Sequence, residues 1–172
     1  MAEKYYRDGE FEKATEIFKL LFEKNQYNTG YLKRLISSYQ ETSKFDEVEK
    51  LLKERLLKQP KHTYLNVELD YNYEKQQQKE TAKIYYDKAT NSIKKYNNMG
   101  GLIGRLFNDN ALLDYAVLAY QESMRYTPNA TYEILIAHIF GDTGAFKAMF
   151  VSYFVSKLLC SFLPLHVFLY EK

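Results

Sequence analysis

Tryptophan is absent from this chain of 172 residues, cysteine occurs once, and proline and glycine number only three and seven. A lone Cys160 cannot close a disulfide within the chain. Few prolines and glycines leave little punctuation for breaking regular structure, while abundant Lys, Glu, Leu and Tyr favour helix. The three histidines, His62, His138 and His166, stand too far apart for a local metal-ligand motif, so neither a metal nor a cofactor is expected. An excess of one charge is also lacking, with 24 basic against 22 acidic side chains and a net charge of +2. The signs are mixed locally, as in Asp46, Glu47, Glu49, Lys50, Lys53, Glu54 and Arg55. No basic stripe exists to neutralise phosphates, which argues against a nucleic-acid partner. The first ten residues hold no apolar segment behind a basic one, so no secretory signal is read and a cytoplasmic address is the default. With 46% hydrophobic and 27% charged residues, the chain can bury a core as one structural unit.

What is present is a period. Stepping by 34 from Tyr5 returns Tyr39, Tyr73 and Phe107. The same step returns short side chains at Ala14, Val48, Ala82 and Ala116 and bulky ones at Phe18, Leu52, Tyr86 and Tyr120. An aliphatic column runs Met1, Leu35, Leu69, Ile103, and Pro60 and Pro128 share a column with Gln26 and Lys94. A fifth copy follows one residue early, through Ile136, Ala137, Phe140, Gly144, Phe146, Met149 and Tyr153. A fixed period of this length is the signature of a stacked array.

Within a repeat the apolar spacing is helical: Leu32, Leu35, Ile36 and Tyr39 step by three and four, as do Phe45, Val48 and Leu52 after a short break. The break holds Gly9 in the first repeat and Gly144 in the fifth, where a residue without a Cβ lets the chain reverse. Ser43, Gln77 and Ala111 stand there in the others.

The pattern resembles the tetratricopeptide repeat family. The resemblance rests on the small first-helix residues Ala2, Gly104 and Ala137, the second-helix alanines Ala14, Ala82 and Ala116, and the terminal prolines Pro60 and Pro128. Ile36 and Asp70 depart from the small site, and Gln26 and Lys94 from the proline. It covers residues 1 to about 153, with repeats at about 1–27, 28–61, 62–95, 96–129 and 130–153. It implies an all-α fold, a right-handed α-solenoid superhelix of antiparallel helix pairs whose concave groove binds a protein or peptide.

Both ends depart from the pattern. The first repeat begins at its seventh column, so the chain reads as a piece of a longer array from which any targeting sequence of the parent is lost. Residues 148–170 run AMFVSYFVSKLLCSFLPLHVFLY. Lys157, Pro164 and His166 interrupt that stretch, which leaves less than the about 20 apolar residues a membrane span needs. For the apolar tail, 154–172, three readings stand open: a buried or partner-covered helix, a membrane anchor, or residues foreign to the fold.

Other features read blandly. The GGLIG segment, Gly100 to Gly104, follows a helix rather than a strand and lacks dinucleotide spacing, so it reads as a loose inter-repeat turn. Asn129, Ala130 and Thr131 form a glycosylation sequon that reads as an inter-repeat loop. Glu68, Asp70 and Glu74 lack an accompanying base, nucleophile or oxyanion donor and read as a solvated or groove-facing surface; no catalytic residue is expected. His138 reads as a half-buried packing residue.

In the resembled family the first helices line the groove, which implies a partner-binding set of Lys33, Arg34, Ser37, Gln40, Tyr64, Glu68, Tyr71, Glu74, Arg105 and Asn108, with Val67 and Leu102 beside them. The carboxylate clamp of the family's chaperone-binding members is not matched, because Glu3, Tyr64 and Glu68 occupy its positions and Glu68 would repel a carboxylate. The expected function is a non-enzymatic interaction module or scaffold. The alternative is a structural segment that self-associates or anchors to a membrane through its tail.

Overall fold

A computed structural model of the chain describes residues 1–142 together with Gly144, Ala145 and Lys147. Every regular element among them is helical, in the order α1 (Ala2–Arg7), α2 (Phe11–Lys24), α3 (Thr29–Glu41), α4 (Phe45–Lys58), α5 (Leu65–Lys75), α6 (Lys79–Ile93), a short 3-10 helix (Asn97–Met99), α7 (Gly100–Asp109), α8 (Leu113–Tyr126) and α9 (Ala130–Asp142). The chain divides between Lys83 and Ile84 into two compact units rather than the single unit expected from its length. In the N-terminal unit, α1 packs on α2, α2 on α3, α3 on α4 and α4 on α5. In the C-terminal unit, α7 packs on α8 and α8 on α9. Packing mainly between helices adjacent in the chain is what a helical repeat produces.

The reversals between paired helices follow one geometry. Gly9, Ser43, Gln77, Ala111 and Gly144 all have positive φ, at 76°, 56°, 60°, 59° and 76°. In each, the following amide, from Glu10, Lys44, Gln78, Leu112 or Ala145, donates back to the carbonyl of Tyr5, Tyr39, Tyr73, Phe107 or Phe140 at 2.7 to 3.0 Å. The reversing residue's own amide donates to Tyr6, Gln40, Glu74, Asn108 or Gly141 at 2.9 to 3.3 Å. This double bond is the Schellman closure of a helix. The aromatic column of the sequence is therefore the set of acceptors that closes each first helix. The one-residue shift of the fifth repeat reappears in the backbone at Gly144.

The small and bulky columns form the core. Ala14, Val48, Ala82 and Ala116 are each 0% exposed, with Phe18 at 2%, Leu52 at 0% and Tyr120 at 2%. Each fully buried Leu- or Phe-sized side chain contributes about 1.5–3 kcal/mol. Tyr86 is half-buried and stacks on Tyr115 with centroids 4.2 Å apart.

Gly104 lies in the first helix α7 as its small-site column implies, while Gly100 and Gly101, read as a loose turn, also lie inside α7. A Cβ on Gly104 would meet the Tyr120 ring at 2.4 Å, and one on Gly100 would meet the Ser123 hydroxyl at 2.0 Å. These positions are glycine because α7 and α8 approach closely, not because the chain turns. In the sequon, Asn129 Oδ1 accepts the Thr131 amide at 2.9 Å at the start of α9, which satisfies a helix N-terminus. No helix among the described residues is long and apolar enough to cross a membrane. The stretch 148–170, with Phe146, Cys160 and His166, lies outside the described residues.

Asp70 corrects a second reading. It stands in the small first-helix column but is 0% exposed rather than solvated, and neither carboxylate oxygen has a hydrogen-bond partner. Burial, and then the nearby Glu74 carboxylate, push its pKa up to about 7. The folded chain thus binds this proton more tightly than the unfolded chain, whose carboxyl titrates near about 4. Stability from this group is greatest below pH of about 4, falls as pH rises toward about 7, and is flat above.

Ala111→Gly removes the Cβ from a left-handed position and is expected to raise stability by about 0.5–1 kcal/mol in denaturant unfolding; an unchanged or lowered midpoint would contradict the turn. Asp70→Asn, which cannot ionise, is expected to gain about 1–3 kcal/mol at pH 8, read as a rise of about 2–4 °C in melting temperature per kcal/mol. That gain should shrink toward pH 4.5, and a pH-independent difference would show that Asp70 is not the titrating group.

Candidate functional site

The first helices of the N-terminal unit are tied to one another by polar contacts. The Arg34 Nε on α3 donates to Glu3 Oε1 on α1 at 2.8 Å, and its guanidinium lies 5.2 Å from the Tyr6 ring centroid. One repeat later, Lys75 Nζ on α5 lies 3.5 Å from Glu41 Oε1 on α3 and 5.4 Å from the Tyr71 ring centroid. Beneath them, the Gln40 amide donates to Asn72 Oδ1 at 3.4 Å, and the Asn72 amide donates to the Phe45 carbonyl at 3.1 Å. Asn72 is 0% exposed, so this short chain of bonds sets α3 against α5 inside the packing.

Of the expected partner-binding residues in this unit, Lys33 and Arg34 are exposed, and Ser37, Tyr64, Glu68, Tyr71 and Glu74 are half-buried. Gln40 is 7% exposed and committed to Asn72, so it serves packing rather than a ligand. Val67 is 0% exposed and belongs to the core. Tyr64 precedes α5 and faces His62, with ring centroids 5.5 Å apart. Burial holds the Tyr64 hydroxyl above the usual phenol range, against the lowering effect of Arg55. The face thus offers two tyrosines with apolar bodies and polar ends, flanked by the cations of α3 and the carboxylates Glu68 and Glu74 of α5.

In the C-terminal unit, Arg105 and Asn108 are exposed on α7 and Leu102 is half-buried. Asn108 borders a hollow of about 60 Å3 with Tyr120, Leu135, His138, Ile139 and Asp142. His138 is exposed at this hollow and not half-buried as expected. Its neighbours at the hollow include the Asn108 carboxamide and the Asp142 carboxylate. No group of three or more His, Cys, Asp or Glu side chains that could hold a metal ion occurs among the described residues.

The buried polar group of α4, Arg55, was not anticipated from the sequence. Arg55 shares a 34-residue column with Leu21, Ala89 and Ser123, and a cation in such a column was a visible signal.

The Glu3–Arg34 pair is solvent-exposed, and such pairs contribute about 0.2–1 kcal/mol. A double-mutant cycle through Glu3→Gln and Arg34→Gln is expected to give a coupling in that range that fades at 1 M salt. A salt-independent coupling would place the pair in a dry environment.

No protein-family model and no curated protein matches the chain. Among solved structures it is similar to one titled "Crystal structure of MamA", at 15% identity and a TM-score of 0.43 over 91% of this chain and 92% of that one. It is similar also to "MamA RS-1 ArsTM double mutant", at 14% identity and a TM-score of 0.44 over 92% and 89%. A third, "Crystal structure of MamA protein", has 17% identity and a TM-score of 0.43 over 100% and 92%.

Proposed function

We propose that this chain is a non-enzymatic interaction module of tetratricopeptide type that holds a peptide or partner domain against the first-helix face of its N-terminal unit. The observation that carries this reading is the half-burial of Tyr64 and Tyr71 beside the carboxylates Glu68 and Glu74 and the exposed cations of α3. Tyrosine brings large contact area with a polar end, which is why it concentrates at the centre of protein interfaces. Glu74 stands on the α5 side of this face with the Lys75 cation beside Tyr71, so the favoured ligand presents polar or charged groups there and an apolar side chain to the tyrosines. The rigid backing comes from the Gln40–Asn72–Phe45 bonds, which limit the entropy lost on binding. Arg105 and Asn108 extend the proposal to the corresponding surface of the C-terminal unit.

The test is affinity capture by the full chain, followed by quantification of each captured protein with Tyr71→Ala and Arg34→Glu variants. Tyr71→Ala is expected to weaken a discrete partner about thirtyfold or more, an interface loss of about 2 kcal/mol. Capture unchanged by both variants would overturn the face. If it came with oligomers that vanish on deleting 154–172, self-association through the tail would stand in its place.

A further inference from the structure

Helices α2, α3 and α4 of the N-terminal unit enclose a cleft of about 290 Å3 that shares no residue with the face described above. Its wall includes the buried apolar side chains Phe22, Leu35 and Tyr39, at 8%, 2% and 8% exposure. Arg55 of α4 belongs to the same wall and is only 9% exposed. Its Nη1 donates to the Gln26 carbonyl at 2.7 Å, and its guanidinium carbon lies 5.6 Å from the Phe22 ring centroid. Nε is buried with no hydrogen-bond partner. Lys19, Lys50 and Lys58 line the cleft with Glu23, Glu47 and Glu54, and all six are exposed and balance in charge, while Arg55 forms no ion pair among the described residues and leaves an excess positive charge. The equivalent positions in neighbouring repeats carry Leu21, Ala89 and Ser123, so the architecture does not require a cation there.

A buried cation without a counter-charge is costly, because water is removed and nothing charged replaces it. One carbonyl and one ring face compensate it only in part. A guanidinium is also the group best suited to meet a planar carboxylate. We infer that the α2–α4 cleft is a second ligand site, which takes a single carboxylate on a short apolar stem, with Arg55 meeting the carboxylate and Phe22, Leu35 and Tyr39 meeting the stem. The cleft volume falls at the lower edge of small-ligand pockets.

The test is titration of the full chain with 3-phenylpropanoate, with its neutral amide, and with the capped dipeptide acetyl-Phe-Glu-amide, followed through the Arg55 Nε–H resonance and by calorimetry. The carboxylate is expected to bind at least tenfold more tightly than the amide and to shift the Nε–H signal. The dipeptide distinguishes a partner's acidic side chain from a free small acid as the source: whichever of the two acids binds more tightly identifies it. Arg55→Met should abolish the tenfold preference. Should that variant fail to fold, Leu51→Trp, which fills the cleft from a half-buried position on α4, should expel the probe. Equal binding of acid and amide, or an unmoved Nε–H signal at saturation, would overturn the site and leave Arg55 as a structural tie to Gln26.

Discussion

The left-handed reversal that closes each first helix is the constraint on which the rest of this structure depends. A positive φ recurs at Gly9, Ser43, Gln77, Ala111 and Gly144, and at Gly9, Ser43 and Ala111 the second helix packs on the first. Because the closing bond ends on the carbonyl of Tyr5, Tyr39, Tyr73, Phe107 or Phe140, turn and aromatic column are locked in phase. Only two of the five reversals use glycine, and the other three carry the strain of a Cβ in the left-handed region. That strain persists because the hairpin it produces buries the columns through Ala14, Val48, Ala82 and Ala116.

The N-terminal unit departs from the apolar ideal at Asp70, Asn72 and Arg55. Asn72 is fully bonded, to Gln40 and to the Phe45 carbonyl, and so fixes the register of α3 on α5 at modest net energy. Asp70 is different: neither of its oxygens is satisfied, and its proton is held by burial rather than by a partner. Arg55 is bonded at one nitrogen and bare at another. At Asp70 and Arg55 the unsatisfied polar atoms cost stability that an apolar side chain would not.

The exposure of the proposed face was legible in outline. The repeat phase placed Lys33, Arg34, Tyr71, Arg105 and Asn108 on first helices away from the core columns, and all five are at least partly exposed. Gln40 and Val67 share those helices yet are buried, because a polar or short aliphatic side chain fits either the surface or an inter-helix gap. The period cannot distinguish the two, since the deciding neighbour lies a whole repeat away: Asn72 is the partner that takes Gln40 inward. His138 went the other way for the same reason, being exposed although its chain neighbours are apolar.

By itself the sequence determined the helical class, the 34-residue step, the places of reversal and the identity of the core columns, because each of these is set by residues within a few positions of one another. Helix spacing, turn chemistry and aromatic phase are local properties that a repeat states several times over. The tertiary structure alone decided which polar residues go inside, that the glycines of GGLIG serve close helix contact in α7, and that Arg55 lines a cleft. Those outcomes depend on distant side chains, Tyr120 and Ser123 on the paired helix for the glycines and residues about one repeat away for Gln40 and Arg55, brought near only when helices pack.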